Sequence, residues 1–289
     1  MSTAATALNL APATDQYFSL RRLQPAIGAE IGGIDLRRPL NDATRDAIRV
    51  AVVKHKVVFF RDQNLNADEH AVFASRFGPL YTHPSTKRDN KISALHEISA
   101  SEFAKYTKDA ARADALKDGY HTDTSWRLVP TWGAVLRAVN LPEVGGDTIW
   151  VDAAAAYEGL PSDVKERLAG LHVTHDYRDA LVGAGHDYPI VAHPVVRVHR
   201  ESGERTLWVN FTQKPFIIGL DRAESRELLA IILQQYKQPE YQVRFSWSPG
   251  SIAFWDNRAA VHYAVRNYGE FPRLLERILI QDEPLYGNL

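Results

Sequence analysis

The sequence predicts a mostly β fold with flanking helices, arranged as a barrel or jelly roll. The main observation is a series of short apolar segments, separated by turn residues, that fills the second half of the chain. These segments lie at 131–141, 145–152, 193–199, 206–210, 241–247, 251–257 and 273–280. Two helical patterns, at 160–170 and 221–236, interrupt them. Many short strands at fairly regular spacing indicate a barrel or jelly roll rather than a parallel sheet.

The first half of the chain contains both kinds of element. Residues 1–16 are small and polar with scattered alanines, so we predict a flexible N-terminal arm. After the arm we predict a pair of short strands, a helix capped by Asn41 or Asp42, a buried strand, and a second helix stopped at Gly78. These elements correspond to residues 17–36, 41–55, 56–62 and 66–78.

Residues 85–118 form a polar and charged segment, and the part from residue 100 onward is rich in alanine. We predict a helical or mobile lid here. The chain shows no internal repeat and no linker that would divide it. We therefore predict one domain over residues 17–289 that includes the lid.

The composition narrows the chemistry that the chain can perform. Its 289 residues include no cysteine, which excludes disulfides, zinc–thiolate sites and thiol catalysis. The formal net charge of −1 gives no long-range electrostatic reason to expect nucleic acid or a membrane surface as a partner. No segment reaches the roughly 20 apolar residues of a membrane span, and the N-terminus does not resemble a signal peptide. We therefore predict a soluble, cytoplasmic protein.

The motif GYHTDTSW, at 119–126, places a histidine and an aspartate two positions apart. In a strand, residues i and i+2 point to the same face, so His121 and Asp123 would present an imidazole and a carboxylate together. With one more histidine they would form the two-histidine, one-carboxylate face that suits non-haem Fe(II) and leaves positions open for substrate and oxygen. The motif alone is also compatible with an imidazole that is simply hydrogen-bonded to a nearby carboxylate.

The C-terminal part of the chain supplies the other candidate residues. His262 follows a predicted strand, and Arg273 and Arg277 come after it. The two arginines are an even number of residues apart on a predicted strand, so both can point inward, where each would need an anion. A guanidinium is the natural bidentate partner of a carboxylate, sulfonate or sulfate. The alternative is surface ion pairs with Glu276 or Asp282, and the opposite strand parity of Glu276 disfavours it.

A set of motifs runs through nearly the whole chain. In order they read GAEIGGIDL, VVFFRDQ, FASRFGPLYTHP, YHTDTSW, LPEVGGDTIW, HPVVRVHRESGERTLWVN, WDNRAAVHYA and RLLERI. Together they resemble the Fe(II)/2-oxoglutarate dioxygenases of the taurine dioxygenase type, which include alkylsulfatases and phenoxyalkanoate dioxygenases. The resemblance implies a double-stranded β-helix, a cupin-like jelly roll, in agreement with the strand pattern. It also implies Fe(II), 2-oxoglutarate as co-substrate, and O2.

The resemblance gives individual residues a role at the iron and the co-substrate. His121, Asp123 and His262 match the iron ligands of the family. Thr148 matches the hydroxyl that helps to hold the distal carboxylate of 2-oxoglutarate, and Arg273 matches the salt-bridge partner of that carboxylate. A dianionic co-substrate needs a cation at one end and the metal at the other, so these roles are chemically consistent.

The resemblance also gives roles at the primary substrate. Arg277 matches an arginine near both the oxo-acid and the anionic head of the substrate. His83 matches the histidine that donates to that head, and Thr124 matches the position whose backbone N–H helps. Departures from taurine dioxygenase fall in the same pocket, because Lys117 lies near a position held there by asparagine and Thr86 replaces a tyrosine.

The sequence therefore predicts a dioxygenase that hydroxylates a small or medium anionic substrate and produces succinate and CO2. Alkyl sulfates or sulfonates are favoured over taurine, because Lys117 would repel the ammonium group of taurine. Taurine and aryloxy-carboxylates remain alternatives, as do a non-catalytic anion-binding jelly roll and metal-assisted hydrolysis. The resemblance to this family implies a homo-oligomer, either a dimer or a tetramer.

Overall fold

The computed structural model describes residues 16–84, 86, 91–99, 118–182, 185, 187–269 and 271–282 of the chain. Of the arm predicted at 1–16, only Gln16 is among the described residues. Of the lid predicted at 85–118, residues 86, 91–99 and 118 are described, and the rest, with Lys117, lies outside the described residues.

Within the described ranges the chain forms fifteen strands and six α-helices. In chain order the strands β1 to β15 are Ser19–Arg22, Ala29–Gly32, Val57–Phe60, Leu80–Tyr81, Leu95–Ser99, Gly133–Asn140, Thr148–Asp152, His172–His175, Val191–Pro194, Val196–Val198, Arg205–Leu207, Gln242–Phe245, Ile252–Asp256, Ala260–Ala264 and Leu274–Ile280. The helices α1 to α6 are Asp42–His55, Ala67–Ser75, Ala153–Glu158, Ser162–Leu168, Arg178–Val182 and Arg222–Tyr236. None of these helices has the length and apolar content that crossing a bilayer requires.

Two sheets carry most of the strands. The larger has the order β1-β2-β3-β13-β6-β15-β4, with β5 also paired to β15. The smaller has the order β12-β7-β14, and two ribbons, β8–β9 and β10–β11, stand apart from both sheets. The pairings are antiparallel except for β2–β3. Strands β12 to β15 alternate between the two sheets, as the winding of a jelly roll requires, and the predicted fold class is confirmed.

Three hydrophobic clusters hold the layers together. The outer face of the large sheet packs on α1 and α2, and the outer face of the small sheet packs on α3, α4 and α6. Between the sheets lies a third cluster, drawn from strands of both, in which the largest members are Phe59, Trp150, Phe245 and Trp255. Because the strands alternate their side chains, every second residue of β7, β14 and β15 points toward this inner layer.

Local sequence sets the ends of the first two helices. The Asn41 side chain accepts a hydrogen bond from the Thr44 N–H at 2.8 Å, so Asn41 rather than Asp42 caps α1. A reciprocal capping box begins α2. That helix ends at Ser75, three residues before the stop predicted at Gly78. Gly78 lies in the turn to β4, where its φ of 144° and the nearby Ile280 side chain leave little room for a Cβ atom.

The structure corrects two predictions around the site. Residues Leu95–Ser99, inside the predicted lid, form β5 and pair with β15, so this part of the segment belongs to the large sheet. The motif that holds His121 and Asp123 is not a strand. His121 makes a single bridge to His262, and the chain then turns through residues 123–126. Side-chain alternation along a strand is therefore not what brings this imidazole and carboxylate together.

Candidate metal centre and anion-binding residues

The three residues predicted as metal ligands lie together beside the inner layer of the jelly roll. Their ligand atoms all lie within 4.8 Å of one another, and no second cluster of this kind occurs in the ranges that the structure describes. His121 and His262 face each other across a backbone bridge, in which each N–H donates to the other carbonyl at 2.9 and 2.8 Å. This bridge ties the motif of His121 to β14 and brings the two imidazole rings to 4.1 Å between centroids.

Asp123 is positioned through its backbone by a neighbouring asparagine. The Asn257 carboxamide accepts from the Asp123 N–H at 2.8 Å and donates to the carbonyls of Asp123 and Thr131 at 2.8 and 3.0 Å. The next residue, Thr124, has a φ of 54°, a left-handed conformation that is strained for a β-branched residue. Its hydroxyl accepts from the Thr131 N–H at 2.9 Å. These contacts fix the turn and aim the Asp123 carboxylate at the two histidines.

The protonation states of the cluster suit a divalent metal. Burial lowers the pKa of His121 and lowers that of His262 well below 6.5, so both imidazoles are neutral at pH 7. The Nδ1 of His121 donates to the Gly119 carbonyl at 2.8 Å, which leaves the Nε2 lone pair for a metal. The Oδ2 atom of Asp123 is buried without a hydrogen-bond partner among the described residues. Two neutral imidazoles and one orphaned carboxylate oxygen are the donor set of non-haem Fe(II), so the residues fit this metal.

Arg277 lies on β15 with its guanidinium against the metal-ligand cluster. One of its Nη atoms donates to Asp123 Oδ1 at 2.5 Å, so Oδ2 is the carboxylate oxygen left for a metal. The Nε atom of Arg277 is buried and has no hydrogen-bond partner in the described part of the chain. The alternative pairing with Glu276 is wrong, because Glu276 forms an ion pair with Arg137. Arg277 therefore keeps unused donors for a second anion.

Arg273 precedes β15 and is buried. Its Nε and Nη2 atoms donate to the Gly146 carbonyl at 3.1 and 2.9 Å, and burial lowers its pKa. It forms no ion pair with a carboxylate of the described residues. The alternative partner Asp282 pairs with Arg200 instead. A buried guanidinium without a carboxylate is costly, so this position calls for an anion.

Thr148 begins β7 and is also buried. The Trp247 Nε1–H donates to the Thr148 hydroxyl at 3.1 Å, which leaves the hydroxyl hydrogen available for another acceptor. Strand register pairs Ala264 with Thr148 and His262 with Trp150, so Thr148 and His262 lie on the same face of the small sheet. Thr148 comes two residues after Gly146, whose carbonyl accepts from Arg273. The side chains of Thr148 and Arg273 share no hydrogen bond.

His83 follows β4 and is buried among aromatic rings. Its ring centroid lies 6.0 Å from Trp126, 6.1 Å from Tyr177 and 6.4 Å from Tyr81. Burial, assisted by the positive charge of Arg277, lowers the pKa of His83 to about 3. The His83 imidazole is therefore neutral at pH 7 and lies close enough to Arg277 for that charge to affect its pKa.

A buried ion network fixes the turn that carries Asn257. The Asp256 carboxylate accepts from Arg258 at 2.9 and 2.7 Å and lies 3.0 Å from His199 Nε2. Burial alone would raise the pKa of Asp256, but the charge and hydrogen bonds of Arg258, with those of His199, hold it well below its ordinary value of 3.8. Because Asp256 and Arg258 flank Asn257, this network holds in place the Asn257 carboxamide, which makes the hydrogen bonds to Asp123.

Sequence reasoning missed three residues that shape the site: Asn257, Trp247 and Gly146. Asn257 was visible only as the end of a predicted strand, and its contact with Asp123 spans 134 residues. Trp247 showed as an aromatic in a predicted strand, with no sign of its bond to Thr148. Gly146 gave a weak signal as one of two adjacent glycines, and a Cβ there would sit 2.9 Å from Arg273 Nε.

The jelly roll and its site define a class of protein, a non-haem metal enzyme. Two imidazoles and one carboxylate lie on one face of its metal site, and the chain also supplies guanidinium groups that can bind anions. Comparison with known proteins gives the family. The family model described as "Taurine catabolism dioxygenase TauD, TfdA family" matches residues 19–279. The chain belongs to this family and is an Fe(II)- and 2-oxoglutarate-dependent dioxygenase.

Individual relatives and structures agree with this assignment. The chain is 35% identical to an alpha-ketoglutarate-dependent sulfate ester dioxygenase of Pseudomonas putida, over 90% of this chain and 88% of the relative. It is 32% identical to an alkylsulfatase of Acinetobacter baylyi, over 94% of this chain and 87% of the relative. A solved taurine dioxygenase from Burkholderia xenovorans superposes with a TM-score of 0.78 at 34% identity, over 92% of each chain.

Proposed function

We propose that this dioxygenase acts on sulfate esters, with medium-chain alkyl sulfates ahead of sulfonates. In this proposal His121, Asp123 and His262 hold Fe(II). Arg273 and Thr148 bind the distal carboxylate of 2-oxoglutarate. The anionic head of the primary substrate is held by Arg277 and His83, helped by the backbone N–H of Thr124.

The observation that carries the proposal is a pair of buried guanidinium groups, that of Arg277 against the metal-ligand cluster and that of Arg273 on the Gly146 carbonyl. Arg273 is buried against a carbonyl oxygen with no described carboxylate partner, and Arg277 keeps a buried Nε donor after it has bound Asp123. Each cation is stabilised when an anion binds, so the site is electrostatically prepared for two anionic molecules. A co-substrate carboxylate and a substrate head group are two such anions.

The chain's own residues hold the reactants, and bound Fe(II) supplies the oxidising chemistry, which uses O2 and converts 2-oxoglutarate to succinate and CO2. Arg273 and Thr148 fix the far end of the oxo-acid, and Arg277 and His83 fix the substrate head. Together they place one C–H bond of the substrate near the metal. One oxygen atom of O2 ends in succinate and the other in a hydroxyl group on the substrate.

For an alkyl sulfate the hydroxylated carbon also bears the ester oxygen. The product R–CH(OH)–O–SO3⁻ then breaks its carbon–oxygen bond to the sulfate and becomes an aldehyde and hydrogen sulfate. Inorganic sulfate is therefore released by oxidation, and its amount equals the amount of succinate formed. Metal-assisted hydrolysis would release sulfate with neither O2 nor 2-oxoglutarate.

The choice of sulfate esters rests on relatives. The Pseudomonas putida and Acinetobacter baylyi relatives are a sulfate ester dioxygenase and an alkylsulfatase. Lys117, outside the described residues, supports the same choice, because a second ammonium group near the head group disfavours taurine.

A substrate competition tests this proposal. Purified enzyme with Fe(II), ascorbate and 2-oxoglutarate receives equal concentrations of taurine, hexyl sulfate, hexanesulfonate and a phenoxyalkanoate, and the consumption of each is followed. We expect hexyl sulfate to be consumed first, with succinate and inorganic sulfate in equal amounts. Reactions without 2-oxoglutarate or without O2 are the controls. Preference for taurine or for the phenoxyalkanoate would contradict the substrate class.

The proposal also covers the cellular location and the oligomeric state of the protein. We propose a cytoplasmic location, because Fe(II) and 2-oxoglutarate are supplied inside the cell, and a homo-oligomer, a dimer or tetramer, because the resemblance to the family implies one. Cell fractionation with an antibody against the chain tests the first. Light scattering on the eluting chromatography peak tests the second, and a mass equal to one chain would contradict it.

A further inference from the structure

His96 is a histidine with no role in the function proposed above, and the β5–β15 pairing places it at the substrate side of the site. In the antiparallel ladder His96 lies directly opposite Arg277. Residues directly opposite each other in such a ladder point to the same face of the sheet. Ile98, two residues further along β5, packs in the inner layer between the sheets. His96 therefore points to the inner face, as Arg277 does.

A second observation places His96 beside the other predicted substrate residue. The ring centroids of His83 and His96 lie 5.2 Å apart. Both imidazoles lie near enough to Arg277 and Asp123 to be affected by their charges. Burial lowers the pKa of each histidine to about 3, so both rings are uncharged at pH 7, and a neutral imidazole carries one N–H donor. Two imidazoles from separate segments thus flank one guanidinium.

The number of donors indicates the kind of anion. Arg277 uses one Nη for Asp123 and keeps other N–H groups, among them a buried Nε without a partner in the described residues, and His96 adds a further donor. A carboxylate has two oxygens in one plane. A sulfate ester or sulfonate head has three terminal oxygens around a tetrahedral sulfur, so it can accept from more directions. Because a buried polar group without a partner is unfavourable, donors that approach one head group from several directions favour the tetrahedral anion over the planar carboxylate.

We propose that His96 is a specificity-determining residue that donates to a sulfur oxyanion and selects sulfate esters and sulfonates over carboxylates. This inference rests on the proposed function, because it assigns His96 to the same substrate head group that Arg277 and His83 hold. An uncharged donor suits the position, since the single negative charge of the head already faces the guanidinium of Arg277.

Two variants of His96 and one matched control test the inference. His96→Leu removes the donor at similar size, and His96→Gln keeps an N–H donor. His70→Gln is the control, because His70 is another buried neutral histidine, whose ring contacts the Val135 carbonyl on the outer side of the large sheet. For each variant we would measure kcat/KM for hexyl sulfate, the inhibition constants of hexanesulfonate and hexanoate, and the melting temperature.

We expect His96→Leu to lower kcat/KM for hexyl sulfate and weaken hexanesulfonate inhibition by about 10- to 100-fold, with hexanoate inhibition changed by less than about threefold. His96→Gln should retain most of the activity, and His70→Gln should leave the ratio of sulfonate to carboxylate affinity unchanged. Equal losses for sulfonate and carboxylate, or no loss, would overturn the role of His96 while the proposed function stands. Wild-type enzyme that forms no succinate with any sulfate ester would overturn the proposed function and this inference with it.

Discussion

Removal of the Asn257 carboxamide should weaken metal binding, although this side chain is not a predicted ligand. Asn257→Ala deletes three hydrogen bonds to backbone groups, at the N–H and carbonyl of Asp123 and the Thr131 carbonyl, and a longer one to the Thr131 hydroxyl. All three lie in a buried turn, and Asn257 itself is fully buried. The turn also carries the strained Thr124, which needs such contacts to persist. Without them the Asp123 carboxylate loses its fixed direction toward His121 and His262.

The magnitude follows from the count of lost bonds. Each unpartnered buried group costs about 1–3 kcal/mol, and water that enters the vacated space recovers part of this. We therefore expect Asn257→Ala to lower the free energy of unfolding by roughly 2–4 kcal/mol. Loss of a group that orients a metal ligand typically weakens metal affinity by about 10- to 100-fold, and we expect the same here.

The assay separates positioning from stability. Mn(II) stands in for Fe(II), and its free concentration is read from its electron paramagnetic resonance signal during titration of the protein. Gln63→Ala is the matched control, because Gln63 also makes three hydrogen bonds to backbone groups, at Leu36, Ile34 and Arg61. Both variants should lose stability, and only Asn257→Ala should lose Mn(II) affinity. Equal Mn(II) affinities in the two variants would refute the positioning role.

Three further predictions concern the co-substrate and the pH dependence of stability. Arg273→Ala should raise KM for 2-oxoglutarate by about 30-fold or more, because a charge-assisted pair is lost. Thr148→Val should raise it by less than about tenfold, because only a neutral hydrogen bond is lost, and the reverse order in steady-state kinetics would contradict the assigned roles. Gly146→Ala should raise the same KM by about 10- to 100-fold, because its Cβ would crowd Arg273 at a backbone φ of 74°, and an unchanged KM would contradict that packing. The lowered pKa of Asp256 contributes stability that is present above its unfolded value of 3.8 and is lost as pH falls below it. Asp256→Asn should therefore flatten the dependence of urea unfolding on pH between pH 5 and 3, relative to wild type, and an equally steep dependence would contradict this.

The fold class and the two arginines could be predicted because their signals are local. The strands of the second half carry their own apolar and β-branched residues, and turn residues bound them, so periodicity is enough to find them. Arg273 and Arg277 keep the parity of one strand face, with Leu275 between them buried in the inner layer. Strand parity applies directly to Arg277, which lies within β15. Arg273 lies one residue before β15, and the register with β6 shifts between Leu274 and Leu275.

The conformation at His121 and Asp123 could not be predicted, because contacts far along the chain set it. The strand interpretation placed His121 and Asp123 side by side, as they lie in the structure, but through the wrong geometry. Asp123 is directed by Asn257 and by the left-handed residue Thr124. Strand β5 was missed for a related cause. Its sequence, LHEIS, is short and half polar, and only pairing with β15 makes it a strand. The sequence gives no sign of His96 as a site residue either, because His96 lies opposite Arg277 only once β5 pairs with β15.

The most direct test of the account is the coupled measurement of succinate and inorganic sulfate from hexyl sulfate, in wild type and in His262→Ala. For the wild type we expect one sulfate per succinate, and neither product when O2 or 2-oxoglutarate is omitted. His262→Ala should form neither product, because two ligands cannot hold Fe(II) well. Sulfate released without O2 or 2-oxoglutarate, or near-normal succinate formation by His262→Ala, would contradict the account.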